Sequence, residues 1–254
     1  MSPASKPPLP QSPWPSPTAG NTPILVLAHR GVPGPWRENT LAAFQAALEA
    51  GADGFELDVR RSADGVPVVH HDSKLDDGTP VGELEAAALP GWMPTLEQAL
   101  AACAGAVVDV EIKNSPGEPC HDPAEQLAGQ VAQLVAESLA AGRGPAAALV
   151  SCFWPATLQA VRRERPEVAT GLLLFPALDT ASALEQAGEC GARVLLPFRS
   201  RLEADLLDGA HRRGMAVVAW GADDEEDLRA AARAGVDGVV TDCVGRALEV
   251  LGRA

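Results

Sequence analysis

The chain has 254 residues, 20 Lys plus Arg against 34 Asp plus Glu, a net charge of −14, and a hydrophobic fraction of 46%. That length exceeds one small domain but is within reach of one large α/β fold with a sizeable core. The acidic balance argues against nucleic acid or an anionic membrane as the main partner, yet leaves room for a phosphate if a metal and a few cations reverse the local field.

The first twenty residues hold seven prolines and a single lysine, with no apolar segment of the kind a secretory signal needs. Residues 1–22 are therefore expected to be a disordered Pro/Ser-rich tail, and residues 23–254 one folded domain. The cysteines Cys103, Cys120, Cys152, Cys190 and Cys243 are odd in number and lack CxxC spacing. They suggest free thiols in a reducing, cytoplasmic compartment. No apolar run reaches the roughly eighteen residues of a membrane span, so no stable membrane anchor is expected.

From Pro23 the chain alternates β-rich and Ala/Leu-rich runs. Strands are predicted at Ile24–Arg30, Gly54–Arg60, Ala106–Lys113, Ala148–Phe153, Ala169–Phe175, Arg193–Phe198, Met215–Gly221 and Gly238–Asp242. Helices are predicted near 40–50, 95–103, 123–141, 155–164, 180–189, 203–213, 224–234 and 244–252. Leu41, Phe44 and Leu48 give the first helix its apolar stripe, with Asn39 or Thr40 as N-cap. Asp64-Gly65 is a hairpin turn signal, so Val66–His71 should form an extra strand after strand 2.

Eight strands alternating with eight helices imply parallel pairing and right-handed crossovers. A closed (β/α)8 TIM barrel fits the count and the length, and an open doubly wound sheet is the rival. His29, Arg30, Glu56, Asp58, Glu111, Lys113, Trp220 and Asp242 all lie at C-terminal strand ends. Only a closed ring brings so many strand ends to one rim. Neither a GxGxxG nor a P-loop follows the first strand, and no Gly-x-Ser-x-Gly elbow supports a serine nucleophile.

Glu56 and Asp58 are two apart and so share a strand face; Glu111 ends the next barrel strand. Two carboxylates on one face repel unless something positive lies between them. Three carboxylates without a nearby cysteine are hard oxygen ligands suited to one divalent cation, Mg²⁺ or Ca²⁺. Asp109, on the Glu111 face but earlier in the strand, is expected deeper in the barrel or in a salt bridge, and is not counted as a ligand. His29 and His71 end separate strands, and two imidazoles near neutrality can act as general acid and base. His70 should point the other way and pack outward, while His121 and His211 are expected in a loop and a helix without a role. Arg30 offers a donor fork suited to phosphate oxygens, and Lys113 lies on the Glu111 face. Trp220, at the tip of the seventh strand, can wall a pocket.

These residues sit in a wider pattern: His29-Arg30-Gly31, Glu38-Asn39-Thr40, Glu56-Leu-Asp58-Val, Asp64-Gly65, His71-Asp72, Pro94-Thr95-Leu-Glu97, Glu111-Ile-Lys113, Trp220 and Thr241-Asp242. In this order, and across nearly the whole chain less the tail, the sequence resembles the glycerophosphodiester phosphodiesterase family. The resemblance implies a (β/α)8 barrel, one divalent metal, and hydrolysis of glycerophosphodiesters to an alcohol and sn-glycerol 3-phosphate. By match, His29 and His71 are the acid/base pair and Glu56, Asp58 and Glu111 the metal ligands. Arg30, Lys113 and Trp220 would meet the substrate, and Glu38 and Asn39 would shape the site. The partner implied is a small-molecule glycerophosphodiester; the oligomeric state is left open.

Two features depart from the family pattern. The segment Ser73 to Pro94 is short where the family often carries a capping insertion, so a reduced cap and a more open mouth are expected. The seventh strand continues Trp220-Gly-Ala-Asp223, where the family often has Trp-Thr-Val-Asn. A second enzymatic possibility is cleavage of lipid head groups in the manner of lysophospholipase D or sphingomyelinase D, which requires an apolar lip. A third is a barrel that binds phosphodiesters without turnover.

Overall fold

A computed structural model describes residues 23–32, 34–103 and 105–253. The expected tail, residues 1–22, lies outside the described residues. Eight parallel strands close into a ring: β1 (Leu25–His29), β2 (Gly54–Arg61), β4 (Val107–Ile112), β5 (Ala147–Cys152), β6 (Ala169–Leu173), β7 (Val194–Leu196), β8 (Ala216–Trp220) and β9 (Gly238–Thr241). Pairing of β1 with both β2 and β9 removes the sheet edges and excludes the open doubly wound sheet. The extra strand β3 (Pro67–Val69) is antiparallel to β2 through the Asp64-Gly65 turn, shorter than predicted.

Each barrel strand is followed by its helix: α1 (Leu41–Glu49), α2 (Leu96–Ala102), α3 (Gln126–Ala141), α4 (Pro155–Glu164), α5 (Thr180–Cys190), α6 (Ala204–Arg212), α7 (Glu225–Ala234) and α8 (Val244–Val250). The N-cap of α1 is Thr40, whose hydroxyl accepts from the Ala43 N–H. Asn39 is engaged elsewhere, as described below. The stretch Ser73 to Pro94 holds only two short 3-10 turns, Val81–Glu83 and Ala86–Ala88, in keeping with a reduced cap.

Strand alternation divides the core. Phe55, Leu57 and Val59 of β2, with Val108, Val110 and Ile112 of β4, face outward into the layer shared with the helices. The inward-facing residues of β5 to β9, among them Leu149, Leu173, Leu196, Val218 and Val240, fill the barrel with a separate apolar cluster. The inward residues of β2 and β4 are instead Glu56, Asp58, Asp109 and Glu111, all buried. Polar and apolar halves thus face each other across one barrel. The parallel register sets them at matching heights, with His29 beside Glu56, Glu56 beside Asp109, Asp58 beside Glu111, and Glu111 beside Ser151.

Candidate active site

At the C-terminal ends of the strands lies a cavity of about 290 Å³. His29, Arg30, Glu56, His71, Glu111, Lys113 and Trp220 all line it, which gathers seven of the ten residues singled out from the sequence. The other three sit directly behind: Asp58 is fully buried, Asn39 binds it, and Glu38 pairs with Arg30. A larger groove of about 890 Å³ runs between the β2–β3 turn and α3, but holds none of these residues.

Glu56, Asp58 and Glu111 each offer an oxygen within 4.8 Å of the others, and all three are buried. Burial and the charges of Asp58 and Glu111 push Glu56 well above the usual carboxylate range. Burial also raises Glu111, against the pull of Lys113. Asp58 behaves oppositely: burial would raise it, but Lys113 and Arg30 outweigh that and hold it at about 2. Lys113 Nζ lies 3.0 Å from Asp58 Oδ1 and also pairs with Glu111. Burial works against its charge, yet Asp58 and Glu111 raise it above an ordinary lysine. Glu56 Oε1 is buried with no hydrogen-bond partner among the described residues. A buried carboxylate oxygen left unpaired is costly, and a cation is one way to satisfy it. The donor set, three carboxylates with no sulfur, fits a hard divalent ion.

Local backbone geometry builds this trio. Arg30 adopts a left-handed backbone, φ 55°, as the chain leaves β1. Its N–H donates to Glu56 Oε2 at 3.1 Å, its Nε lies 3.1 Å from Asp58 Oδ2, and its Nη1 reaches Glu38 at 3.0 Å. Asn39, also left-handed at φ 57°, donates from Nδ2 to Asp58 Oδ2 at 2.8 Å and accepts from the Asp58 N–H through Oδ1. Glu38 and Asn39 therefore act on the trio from the β1–α1 loop.

The histidines approach from two sides. His29 Nδ1 lies 2.8 Å from Asp242 Oδ1, and its Nε2 is 4.0 Å from Glu56. His71 Nδ1 lies 2.7 Å from Asp72 Oδ1. In both rings the carboxylate engages Nδ1, which leaves Nε2 as the nitrogen available for proton transfer. Burial lowers the His71 pKa, with Lys113 and Arg30 adding and Asp58 opposing. The segment carrying His71 is pinned by buried Arg60, whose Nε donates to the His71 carbonyl at 2.6 Å while its Nη1 pairs with Glu118. His70 points away and packs near Trp92. His211 binds Asp237, which also accepts from the Val217 N–H, so it braces the bottom of β8.

Trp220 walls the cavity, but its indole N–H is spent on the Leu196 carbonyl. It belongs to an aromatic group that sequence reasoning did not collect. Phe153 lies 4.8 Å from Phe175 and 6.0 Å from Trp220, and Phe198 lies 4.6 Å from Trp220. All four extend the inward-facing register of β5 to β8, so counting by twos along each strand would have found them. Asp242 was noted at its strand end, but its pairing with His29 spans 213 positions and leaves no local sequence signal.

A (β/α)8 barrel whose rim gathers three buried carboxylates, two carboxylate-tethered histidines and two cations defines an enzyme class built to handle phosphate esters. Residues 29–246 match the model of the Glycerophosphoryl diester phosphodiesterase family, and the chain belongs to that family. It is 31% identical over 245 residues to the Glycerophosphodiester phosphodiesterase of Caldanaerobacter subterraneus, covering 86% of this chain and 93% of that one. Among solved structures it is similar to an Oleispira antarctica phosphodiesterase in complex with the product sn-glycerol-3-phosphate, with TM-score 0.76 and 25% identity over 91% and 97% of the two chains. The glycerophosphodiester phosphodiesterase of Thermotoga maritima, at 24% identity, shares the fold with TM-score 0.76 over 91% of this chain and 100% of that one.

Proposed function

We propose that this chain hydrolyses glycerophosphodiesters to an alcohol and sn-glycerol 3-phosphate, with His29 and His71 as the general acid/base pair. Glu56, Asp58 and Glu111 would hold one divalent cation, Mg²⁺ or Ca²⁺. The observation that carries this reading is the convergence of the three carboxylates to within 4.8 Å at a cavity that both histidines line. Supporting it, a solved relative, the Oleispira phosphodiesterase, is in complex with sn-glycerol-3-phosphate. The five cysteines, all free thiols, support a reducing cytoplasmic setting, and no described helix is long and apolar enough to cross a membrane.

When bound, a hard divalent cation supplies positive charge against a phosphoryl oxygen. Arg30 and Lys113 add their own, positioned in the same cavity. One histidine takes a proton from the nucleophile through its free Nε2; the nucleophile is either water, which gives glycerol 3-phosphate directly, or the neighbouring glycerol hydroxyl, which gives a transient cyclic phosphate that water then opens to glycerol 3-phosphate. The other returns a proton to the departing alcohol. Asp242 and Asp72 hold the rings in orientation throughout. The Trp220 face, lacking a free polar group, excludes water from the opposite wall.

General acid/base groups each supply about 10²–10⁴-fold, so His29→Ala and His71→Ala should each lower turnover of glycerophosphocholine by at least about 10²-fold with the fold intact. Release of glycerol 3-phosphate should also stop on adding a chelator and return with Mg²⁺ or Ca²⁺. Near wild-type rates in either histidine variant, or indifference to the chelator, would sink the proposal.

One observation favours a second reading, cleavage of lysophospholipid head groups. Phe175 is 44% exposed and packs against Phe153 and Trp154, so an apolar lip extends from the cavity wall to the surface. Comparing lysophosphatidylcholine with glycerophosphocholine as substrates separates the two.

A further inference from the structure

Proton transfer by His71 needs an imidazole held in place, yet no strand holds this residue. β3 ends at Val69, and His71 stands beyond it in an irregular stretch that continues through Ser73. What grips this stretch comes from the two strands that carry the carboxylates. On β2, Arg60 is two residues past Asp58 and so shares the face of Glu56 and Asp58. Its Nε donates to the His71 carbonyl at 2.6 Å, and its Nη1 pairs with Glu118 in the loop between β4 and α3. The same loop reaches the stretch a second time: Cys120 Sγ donates to the Ser73 carbonyl at 3.5 Å and accepts from the Gly82 N–H at 3.2 Å. Asn114 closes the base of the loop, accepting from the Asp122 N–H at 2.7 Å and donating to the Asp122 carbonyl at 3.0 Å. Arg60 itself is 3% exposed and does not line the cavity, so it meets no substrate. A buried guanidinium is costly to desolvate, and an apolar side chain of similar size would fill the space at less cost. What an apolar side chain cannot do is hold a carbonyl with one nitrogen while a second nitrogen is anchored.

We propose that Arg60 and Glu118 are positioning residues for the reaction: Glu118 orients the Arg60 guanidinium, and the guanidinium fixes the His71 backbone so that the imidazole faces the cavity lined by Glu56 and Glu111. One face of β2 then bears two of the three carboxylates and the clamp on the imidazole, which sets the separation between them. The proposal rests on the reading of His71 as an acid/base group in glycerophosphodiester hydrolysis. It adds two residues that touch neither substrate nor cation and act through His71 alone.

The test is steady-state hydrolysis of glycerophosphocholine by the full chain with Mg²⁺ or Ca²⁺ present. Glu118→Ala, at a side chain 34% exposed, and Arg60→Met are each made in the wild type and in His71→Ala. With His71 in place, each should lower kcat by about tenfold or more and leave KM within about twofold, because a misplaced reacting group slows the chemical step. In the His71→Ala background the same changes should cost less than about twofold, since the group they act through is gone. Glu118→Gln, which keeps an acceptor oxygen, should recover part of the loss. The histidine ring signals are followed by NMR in the same variants: those of His71 should move in Glu118→Ala while those of His29 stay. Glu118→Ala decides the matter if Arg60→Met does not fold, and the ring signals decide it if His71→Ala is too slow to measure. Equal losses in both backgrounds, a raised KM at unchanged kcat, or unmoved His71 signals overturn the clamp. A slow His71→Ala beside a fast Glu118→Ala removes the clamp alone; a His71→Ala chain near the wild-type rate removes the acid/base reading as well.

Discussion

Among the described residues, three that are not glycine hold a left-handed backbone, and two of them, Arg30 and Asn39, bind Asp58. Such a conformation costs on the order of 1 kcal/mol or more and persists where surrounding structure demands it. Here the demand is to turn a guanidinium and an amide onto one fully buried carboxylate. Asp242 plays the comparable part for His29, fixing which nitrogen carries the proton. Asp242→Asn should leave the fold intact while reducing kcat/KM by about 10²-fold, because an amide can present its N–H to Nδ1 and favour the wrong tautomer. Steady-state kinetics beside circular dichroism checks this; an unchanged kcat/KM would remove Asp242 from the site.

Elements place these residues through close packing more than through loop length. Gly31 follows Arg30 with φ 89°, and a Cβ there would lie 2.7 Å from the backbone carbon of Ala43 in α1. The tight exit from β1 brings α1 against the barrel and delivers Glu38 and Asn39 to the trio. Gly31→Ala should therefore cost about 1–3 kcal/mol, seen as a lower urea midpoint at unchanged slope. Its activity should fall further than its stability, because the displaced loop carries Asn39 with it. At the opposite end of the barrel, Arg253 clamps Asp53 through two contacts of 2.6 and 2.7 Å and also donates to the Ile24 carbonyl. The segment that follows α8 thereby ties together the bottoms of β1 and β2.

At the scale of the whole molecule, the barrel carries an electrostatic burden that a cation would relieve. Glu56 and Glu111 are raised by burial, and burial pushes Asp109 up to about 8. These groups keep protons in the folded chain that the unfolded chain releases above the ordinary carboxylate range. Metal-free stability should therefore fall as pH rises from about 4 to about 8. Asp58 works the other way: its contribution is present above the usual aspartate range and lost as pH falls toward 2. A cation replaces protons on the same oxygens, so the rise in Tm on adding Mg²⁺ or Ca²⁺ should be small near pH 5 and larger at pH 8. Thermal melts with chelator and with cation at the two pH values test this, and a pH-independent shift would show that the ion binds elsewhere.

The eight strands, the eight helices and the gathering of the candidate histidines and carboxylates at one rim were legible because a closed parallel barrel imposes a local rule. Outward faces must be apolar to meet helices, so Phe55-Leu57-Val59 and Val108-Val110-Ile112 expose Glu56, Asp58 and Glu111 by alternation alone. What stayed hidden was pairing across the ring. Whether Asn39 or Thr40 caps α1 was undecided in sequence, because both residue types can cap; only the fold shows that Asn39 is taken by Asp58. Asp242 with His29, Arg60 with Glu118, and the gathering of Phe153, Phe175, Phe198 and Trp220 join segments that follow one another only around the barrel. Alternation is a property of one strand and is written in its residues, whereas which strand tips meet depends on closure and register, which no single segment encodes.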